Sequence, residues 1–306
     1  MRVLVTGATG FLGYHLVRRL MEKEFRPIVT RRSTSDPRRL RDLESLECIE
    51  LELRSPESIR KALQAARPDA VIHCAAYGVD HRQQDPLEAI AINLTATTSL
   101  VEAAASVRVA RFIHVGTCFE YGDHPGPISE TTPLQPRSLY GATKAAGTLL
   151  ALERAGHHGL PLCVVRPFGM YGAREGEHKL VPLIRRACET GEVLPLTLGE
   201  QVRDYSFVGD VTEAIFRLLN AESFPSAEIF NLAGGVPITL KDFILACASV
   251  FGGEALMGFG MLPYRKNEMA SLVANCGKWE RFCGHPVFRT ALAEGLALMK
   301  RPMEDR

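Results

Sequence analysis

Three glycines follow a short hydrophobic run at the start of the chain, and this stretch limits the possible fold more than any other. Residues 3–5 are a Val-Leu-Val run that is typical of a buried parallel strand. The apolar spacing over residues 12–20 predicts a helix. Gly7, Gly10 and Gly13 lie at the turn between the two. The order of strand, glycine turn and helix predicts the first unit of a parallel α/β sheet.

Each glycine of this turn has a distinct physical use. Gly7 allows a tight turn, Gly10 lets the backbone approach a pyrophosphate, and Gly13 lets the helix pack closely on the sheet. The N-terminus of the helix then points at the phosphate charge. The first gap is one residue longer than in the fingerprint of ordinary dinucleotide-binding dehydrogenases. The turn therefore predicts a dinucleotide site, and the alternative is a structural turn that binds no ligand.

The composition is that of an ordinary globular protein without a strong charge bias. Of the 306 residues, 46% are hydrophobic, and 36 Lys and Arg balance 35 Asp and Glu. This balance gives no reason to expect nucleic acid or an anionic membrane as a partner. The sequence shows neither an apolar run of membrane-spanning length nor a signal segment, so we expect a cytoplasmic protein. The eight cysteines form no Cys-x-x-Cys pair, which favours reduced thiols over disulfides or a metal site.

Strand and helix patterns alternate through the first half of the chain. Strands are predicted at 27–30, 48–53, 69–76, 112–115 and 162–166, and helices at 56–66, 86–105 and 140–155. This alternation predicts a Rossmann-type α/β fold, in which helices cover both faces of a doubly wound parallel sheet. We expect a dinucleotide-binding domain over residues 1–166 and a smaller C-terminal α/β substrate lobe over residues 167–306. Within that lobe, residues 205–235 are expected to return to the main sheet.

Tyr140 and Lys144 are four residues apart at the start of a predicted helix, which places their side chains on one face. An ammonium group near a phenol favours the phenolate, so we expect Lys144 to lower the pKa of Tyr140. Such a phenol can give a proton to the oxygen of a carbonyl group that is being reduced. Thr117, at the end of the preceding strand, can hydrogen-bond the same oxygen. The alternative is a solvated helix face without catalytic function.

The order of several motifs resembles that of the extended short-chain dehydrogenases/reductases, which include nucleotide-sugar epimerases, dehydratases and ketoreductases. The motifs are Thr-Gly-Ala-Thr-Gly-Phe-Leu-Gly at 6–13, His-Cys-Ala-Ala at 73–76, Asn-Leu-Thr at 93–95, Thr117 with Tyr-Gly at 121–122, Tyr140 to Lys144, Arg-Pro-Phe at 166–168 with Tyr-Gly at 171–172, and Arg-Asp-Tyr at 203–205. The resemblance implies an NAD(P)-binding domain with Thr117, Tyr140 and Lys144 as catalytic residues. It also implies that Lys144 holds the nicotinamide ribose, that Asn93 orders the proton relay, and that a homodimer forms through the helices at 86–105 and 141–155.

The end of the second predicted strand bears on the choice between NAD and NADP. Arg31 and Arg32 stand where NAD enzymes place an acidic residue for the ribose hydroxyls. Two guanidinium groups can bind the 2′-phosphate of NADP(H), so we expect NADP(H) rather than NAD(H). The alternative is a pair of exposed arginines without a ligand. The resemblance implies these cofactor contacts in addition: Gly7, Thr9, Gly10, Phe11, Leu12, Gly13, Leu53, Ala75, Ala76, Asn93, Tyr140, Lys144 and Pro167.

The residues after Thr117 bear on the reaction. The 4,6-dehydratases of this family have acidic residues directly after the hydroxyl residue, and here Cys118 and Phe119 occupy these positions. Neither can supply the acid for dehydration, although Glu120 lies close by. Residues 116–122 resemble those of 4-ketoreductases. We therefore predict an NADPH-dependent reductase of a nucleotide-linked 4-keto-6-deoxyhexose. The alternatives are a nucleotide-sugar epimerase with a retained NAD(P) and a non-catalytic NAD(P)-binding regulator.

The resemblance also implies where a nucleotide sugar binds. Arg203 and Arg265 match positions at which related enzymes bind the diphosphate, and Lys179 stands where relatives have an asparagine near the same phosphates. The full set of predicted substrate contacts is Thr117, Cys118, Phe119, Lys179, Arg203 and Arg265. Gly169 departs from the family pattern, because many relatives have a sugar-binding asparagine there.

Overall fold

A seven-stranded parallel sheet organises the computed structural model, which describes residues 1–36, 38–43, 46–284 and 287–300. The strands of the chain are β1 (Arg2–Thr6), β2 (Arg26–Arg31), β3 (Glu47–Glu50), β4 (Ala70–His73), β5 (Arg111–Val115), β6 (Leu162–Pro167), β7 (Gly169–Tyr171), β8 (Leu194–Pro195), β9 (Val202–Phe207), β10 (Ile229–Leu232), β11 (Pro237–Thr239), β12 (Met257–Gly258) and β13 (Ser271–Leu272). The order in the main sheet is β10-β6-β5-β4-β1-β2-β3.

The helices cover this sheet and build the C-terminal half. They are α1 (Phe11–Glu22), α2 (Pro56–Ala66), α3 (Pro86–Ile90), α4 (Thr97–Ser106), α5 (Leu139–His158), α6 (Leu180–Thr190), α7 (Val208–Leu219), α8 (Leu240–Phe251), α9 (Gly277–Cys283) and α10 (Leu292–Lys300). A π-helical stretch, Ala91–Ala96, joins α3 to α4. Short 3-10 turns lie at Arg38–Leu40, Cys118–Glu120 and Glu254–Leu256. Within the described ranges, no helix combines the length and apolar character needed to span a bilayer.

The strand order determines where a ligand can bind. β1 and β4 are neighbours, and the chain turns outward in opposite directions from them, to β2 on one side and β5 on the other. In such a sheet the crevice at the carboxyl ends of these two strands is the usual ligand site. The glycine turn follows β1, and the small residues Ala75 and Ala76 follow β4. The predicted Rossmann fold is confirmed.

The hydrophobic pattern explains why these elements form. Residues 3–5 of β1 are completely buried, as expected for a strand with helices on both faces. Leu100 of α4 and Phe112 of β5 belong to a buried cluster that α2 also joins through Ile59 and Leu63. Ser55 caps α2 by accepting a hydrogen bond from Ser58 N at 3.1 Å.

The described chain divides into two compact units that interleave along the sequence. The first consists of Met1–Gly122, Glu130–Pro167 and Thr212–Phe230, and the second of Asp123–Ser129, Phe168–Val211 and Asn231–Arg306. The sequence predicts a boundary between residues 166 and 167, whereas here the chain crosses back into the first unit after that point. The crossing follows from sheet membership, because α7 and the start of β10 belong with the main sheet.

Two predicted strands end earlier than expected, and one predicted helix is irregular. β3 ends at Glu50 rather than at 53, and β4 ends at His73 rather than at 76. Beyond β4, the N–H of Ala75 donates to the side-chain oxygen of Thr6, so the chain leaves the strand ladder. The helix predicted at 86–105 contains the π-helical stretch, a type of distortion that often lies at functional sites.

Candidate active site

The glycine turn after β1 is too tight for side chains. Gly7 has φ +70°, and a Cβ there would lie 2.7 Å from the backbone N of Ala75. A Cβ at Gly13 would lie 2.8 Å from Cα of Ala8, so the start of α1 packs directly on the turn. Only glycine fits both positions without displacing backbone atoms. The tight turn predicted for Gly7 and the close packing predicted for Gly13 are both present.

The N-terminus of α1 suits an anion. Gly10 caps the helix without a side-chain hydrogen bond, and the first turn carries no acidic residue. Backbone N–H groups at such an end attract negative charge because they are unpaired within the helix and carry its positive dipole end. The turn and the helix therefore fit the pyrophosphate of a dinucleotide.

Asn93 connects the loop after β4 to α5. Its Oδ1 accepts from the N–H of Tyr77, and its Nδ2 donates to the carbonyl oxygen of Tyr77, both at 2.8 Å. Nδ2 also donates to Thr143 Oγ1 at 2.9 Å. Asn93 is completely buried in the π-helical stretch, so its amide holds three segments together. Its place in a proton relay stays a prediction.

His73 supports the same region from the end of β4, and the sequence analysis assigned it no role. Its Nδ1 lies 2.6 Å from the hydroxyl of Thr6, and its Nε2 lies 3.0 Å from the hydroxyl of Thr97. Thr97 donates its own proton to the carbonyl oxygen of Asn93, so the proton of His73 belongs on Nε2. Burial lowers the pKa of His73 to about 3, which keeps the ring neutral.

Thr117 and Tyr140 come together as the sequence predicts. Thr117 lies two positions beyond the end of β5 and has an extended backbone with φ −162°. Its side chain lies close enough to the phenol of Tyr140, in the first turn of α5, to favour the ionised form and so lower the pKa of that phenol. The ring of Phe119 lies 6.1 Å from the ring of Tyr140. The two hydroxyl groups can therefore reach one substrate oxygen together.

The prediction that Lys144 lowers the pKa of Tyr140 is wrong. Burial raises the pKa of Tyr140, and the charges of Glu120 and Cys118 add to this increase. Lys144 is buried and donates from Nζ to the carbonyl oxygen of Val115 at 2.7 Å. Helical spacing brings the two residues onto one face, but desolvation dominates the pKa of the phenol, and the side chain that lowers it is Thr117 rather than Lys144.

The turn after Thr117 is shaped by a buried ion pair that the sequence analysis missed. Glu120 is completely buried, and its Oε2 lies 2.9 Å from Nη2 of Arg166. Cys118 is buried as well, whereas Phe119 is 37% exposed. The signal in the sequence was Thr-x-x-Glu, the pattern of a capping box, which the structure shows between Thr117 and Glu120.

Three arginines lie at the sheet edge beside the glycine turn. Arg31 ends β2 and Arg32 follows it, and both are exposed. Arg39, from the 3-10 turn after β2, donates from Nη1 to the carbonyl oxygen of Thr9 at 3.0 Å. The sequence pattern alone did not place Arg39 at a site. The same segment is held to α1 by Tyr14, whose hydroxyl donates to Asp42 at 2.8 Å.

The other predicted cofactor contacts differ in exposure. Leu53 is half-buried beyond β3 and packs on the hydrophobic cluster of the sheet. Pro167 is buried at the end of β6, and Leu12 is 9% exposed in the first turn of α1. Thr9, Phe11, Ala75 and Ala76 are half-buried around the glycine turn and the end of β4.

The second unit contains the three cations predicted to bind substrate. Lys179 is half-buried at the N-terminus of α6, and Arg265 is exposed between β12 and β13. Arg203 on β9 already donates from Nη2 to Glu268 at 2.9 Å and to the carbonyl oxygen of Met269 at 2.8 Å. Glu175 lies near Lys179, and burial raises the pKa of Glu175 to about 7.

Close packing around position 169 explains why a glycine stands there. A Cβ there would lie 2.7 Å from Cδ1 of Tyr205 and 2.8 Å from the carbonyl oxygen of Asp204. The Tyr205 ring is held in this place by stacking on Phe243, at 3.8 Å between ring centroids. An asparagine at 169 therefore has no room in this packing.

The fold and the glycine turn together define an NAD(P)-binding Rossmann enzyme of the oxidoreductase type. Residues 3–233 match the family described as the NAD dependent epimerase/dehydratase family. The chain belongs to this family and, with it, to the extended short-chain dehydrogenases/reductases. The resemblance stated from the sequence motifs is confirmed.

Relatives within this family carry out different reactions. A dTDP-glucose 4,6-dehydratase of Xanthomonas campestris pv. campestris is 35% identical over 252 residues, which cover 76% of this chain and 70% of the relative. A protein of Streptomyces antibioticus described as a probable dTDP-4,6-dihydroxy-2-methyloxan-3-one 4-ketoreductase is 31% identical over 293 residues, which cover 87% of this chain and 91% of the relative. The UDP-glucose 4-epimerase of Thermus thermophilus, solved with NAD, superposes with a TM-score of 0.87 at 27% identity, covering 98% of this chain and 97% of that chain. These similarities support a nicotinamide cofactor and a reaction on a nucleotide sugar.

Proposed function

We propose that the protein is an NADPH-dependent reductase of a nucleotide-linked 4-keto-6-deoxyhexose. The observation that carries this proposal is the pairing of Thr117 and Tyr140, followed by Cys118 and Phe119 in place of acidic residues. Similarity to the probable 4-ketoreductase over 87% of the chain supports the same reaction.

The proton chemistry follows from the state of the tyrosine. Because burial raises the pKa of Tyr140, the phenol is protonated at neutral pH and is a proton donor rather than a base. When bound, NADPH would supply the hydride to the carbonyl carbon of the sugar. Tyr140 then protonates the oxygen, and the hydroxyl of Thr117 holds it by a hydrogen bond. Lys144, with a pKa of about 8, is mostly an ammonium at neutral pH and suits the ribose hydroxyls.

Dehydration has no acid of its own at this site. Cys118 is buried, and Phe119 carries no proton to give. Glu120 is the nearby carboxylate in the sequence, but both of its oxygens are used by Arg166, Thr117 and Thr148. An acid that is buried in an ion pair cannot replace the acidic pair that a dehydratase needs.

We further propose NADP(H) as the cofactor, with Arg31, Arg32 and Arg39 around the 2′-phosphate. Arg31 and Arg32 are exposed at the carboxyl end of β2, where the ribose of a dinucleotide lies in this fold. Arg39 reaches the glycine turn itself and adds positive charge at its edge. A guanidinium group can bind a phosphate through two parallel hydrogen bonds, whereas a carboxylate in the same place would repel the phosphate.

Cofactor stoichiometry tests the proposed reaction. We expect the purified protein to consume one equivalent of NADPH per 4-keto-6-deoxyhexose converted, because the hydride stays in the product. The substrates are a panel of dTDP-, UDP-, GDP- and CDP-linked 4-keto-6-deoxyhexoses, followed by nicotinamide absorbance and product mass. Isomerisation of a nucleotide sugar without loss of NADPH would instead establish the epimerase reaction, which the similarity to the UDP-glucose 4-epimerase keeps as the second candidate.

We propose that the protein is a homodimer that pairs through the face of α3 and α5. Leu87 and Ile90 on α3 are 77% and 42% exposed, and Leu149 on α5 is 57% exposed. Apolar side chains at this exposure are stabilised when a second copy covers them. We also propose a cytoplasmic location, where the eight cysteines, none of which is in a disulfide here, stay reduced.

Replacing Leu149 with glutamate is expected to weaken the dimer by at least about tenfold in Kd, because it places a charge in an apolar contact. The measurement is the concentration dependence of mass by light scattering. Leu198→Glu is the matched control, since Leu198 is 51% exposed but lies in the second unit. A monomeric wild-type protein, or equal effects of both variants, would contradict the assigned interface.

A further inference from the structure

The carboxylate of Glu120 lies in the interior of the first unit and is bonded through both oxygens. Oε2 accepts from Nε of Arg166 at 2.9 Å and lies in an ion pair 2.9 Å from Nη2 of the same guanidinium group. Oε1 accepts from the backbone N–H of Thr117 at 2.9 Å and from the hydroxyl of Thr148 at 3.1 Å. Glu120 is completely buried and Arg166 is 1% exposed. A carboxylate with this many partners has one position in the folded protein.

The surrounding backbone leaves space for this carboxylate and no more. A Cβ at Gly116 would overlap Oε1 of Glu120. The guanidinium group of Arg166 lies 4.5 Å over the ring of Tyr121, which fixes it from the other side. Thr117 is thus held through its backbone by Glu120, while its side chain lies close to the phenol of Tyr140.

We propose that Glu120, held by Arg166, is a positioning residue of the candidate active site: it keeps Thr117 in place and provides the negative charge that faces Lys144. The inference rests on the roles proposed above for Thr117 and Lys144 in the reductase. Glu120 acts through these two residues and not on the substrate.

Thr148, which donates to Glu120, follows Lys144 by four residues on α5, so the carboxylate lies beside the helix face that carries the lysine. Burial lowers the pKa of Lys144 to about 8, and Glu120 and Cys74 oppose this decrease. Burial raises the pKa of Cys74 to about 12, so this thiol is uncharged at neutral pH. His73 on β4 and His114 on β5 face the same lysine, and burial lowers both of their pKa values, so both rings are neutral as well. Among these described groups, Glu120 carries the negative charge that favours the ammonium form.

Two substitutions separate the effect of the charge of Glu120 from the effect of its side-chain length. Glu120→Gln keeps the length and removes the charge, and we expect the pKa of Lys144 to fall by about one unit, because an opposite charge shifts a neighbouring pKa by one to three units. Glu120→Asp keeps the charge and shortens the side chain. We expect it to leave the pKa of Lys144 near its wild-type value but to lower kcat more than KM, because Thr117 loses its support. The pKa is measured by NMR of ¹³C-labelled lysine in the cofactor-free protein, with Lys144→Arg identifying the signal.

Two further variants serve as controls for the effect of the Glu120 charge on the pKa of Lys144. Thr148→Val removes one hydrogen bond to the same carboxylate without changing its charge, and it should leave the pKa of Lys144 unchanged. Because Glu120→Gln leaves Arg166 buried without its partner, the double variant Glu120→Gln/Arg166→Met removes both charges, and it should show a smaller fall in the pKa of Lys144, since loss of the guanidinium charge offsets part of the lost attraction. An unchanged Lys144 pKa in both charge-removing variants, or wild-type kcat in Glu120→Asp, would overturn the inference. A protein without reductase activity would refute the proposed function, while the NMR titration would still decide the charge effect.

Discussion

Tyr140→Phe is expected to lower kcat by about 10³-fold, within the range that general acid catalysis contributes. The substitution removes the hydroxyl that lies close to Thr117 and leaves the ring in place. Because burial raises the pKa of Tyr140, the phenol is the proton donor across the neutral range, and no loss of rate from its ionisation is expected there. The measurement is steady-state kcat from the decrease of NADPH absorbance with the best substrate of the panel.

Binding and a second tyrosine provide the controls for this result. The Kd of NADPH, from fluorescence titration, should stay within about twofold of wild type, because the phenol takes part mainly in the chemical step. Tyr264→Phe removes a hydroxyl that is hydrogen-bonded to Glu200 in the second unit and should leave kcat unchanged. Undiminished turnover by Tyr140→Phe would reject Tyr140 as the proton donor.

Arg31→Asp is expected to reverse the cofactor preference, with the NADPH to NADH ratio of kcat/KM falling by about 10²-fold. This corresponds to about 3 kcal/mol, the upper range for a hydrogen bond to a charged group. The aspartate repels the 2′-phosphate of NADPH and can accept hydrogen bonds from the ribose hydroxyls of NADH. The measurement is kcat/KM with each cofactor, together with Kd by fluorescence.

An arginine from the same segment serves as the control. Arg38 is exposed, and its Nε already donates to Asp36 at 2.6 Å. Arg38→Asp makes the same change of charge a few residues away and should alter the cofactor ratio by less than about threefold, because exposed charges are screened by solvent and salt. Equal losses in both variants would mean that general charge, rather than a contact from Arg31, determines the preference. An unchanged ratio in Arg31→Asp would refute the NADP(H) assignment.

Local patterns were sufficient for the glycine turn and for the catalytic spacing. The strand, turn and helix at residues 3–20 are close in the chain, so their order already implies their geometry. Tyr140 and Lys144 lie four residues apart, and helical geometry alone places them on one face. The Rossmann fold followed from the alternation of strands and helices for the same reason.

Residues that meet from distant parts of the chain were not predictable in this way. Arg166 and Glu120 are 46 positions apart, and nothing in either local pattern indicates that they pair. Arg39 was not predicted as a site residue, because its contact with Thr9 depends on how the segment after β2 folds back on α1. Arg203 was expected to be available for a diphosphate, whereas it bonds with Glu268 on a loop 65 positions later.

The amino-acid sequence by itself determined the fold class and the position of the glycine turn, and it led to the proposed roles of Thr117, Tyr140 and Lys144, since each depends on short-range spacing. Only the tertiary structure decided the protonation of these groups and the support around them. A pKa depends on how much water and charge surround a group in three dimensions, and the burial that raises the pKa of Tyr140 and lowers that of Lys144 exists only after the chain has folded.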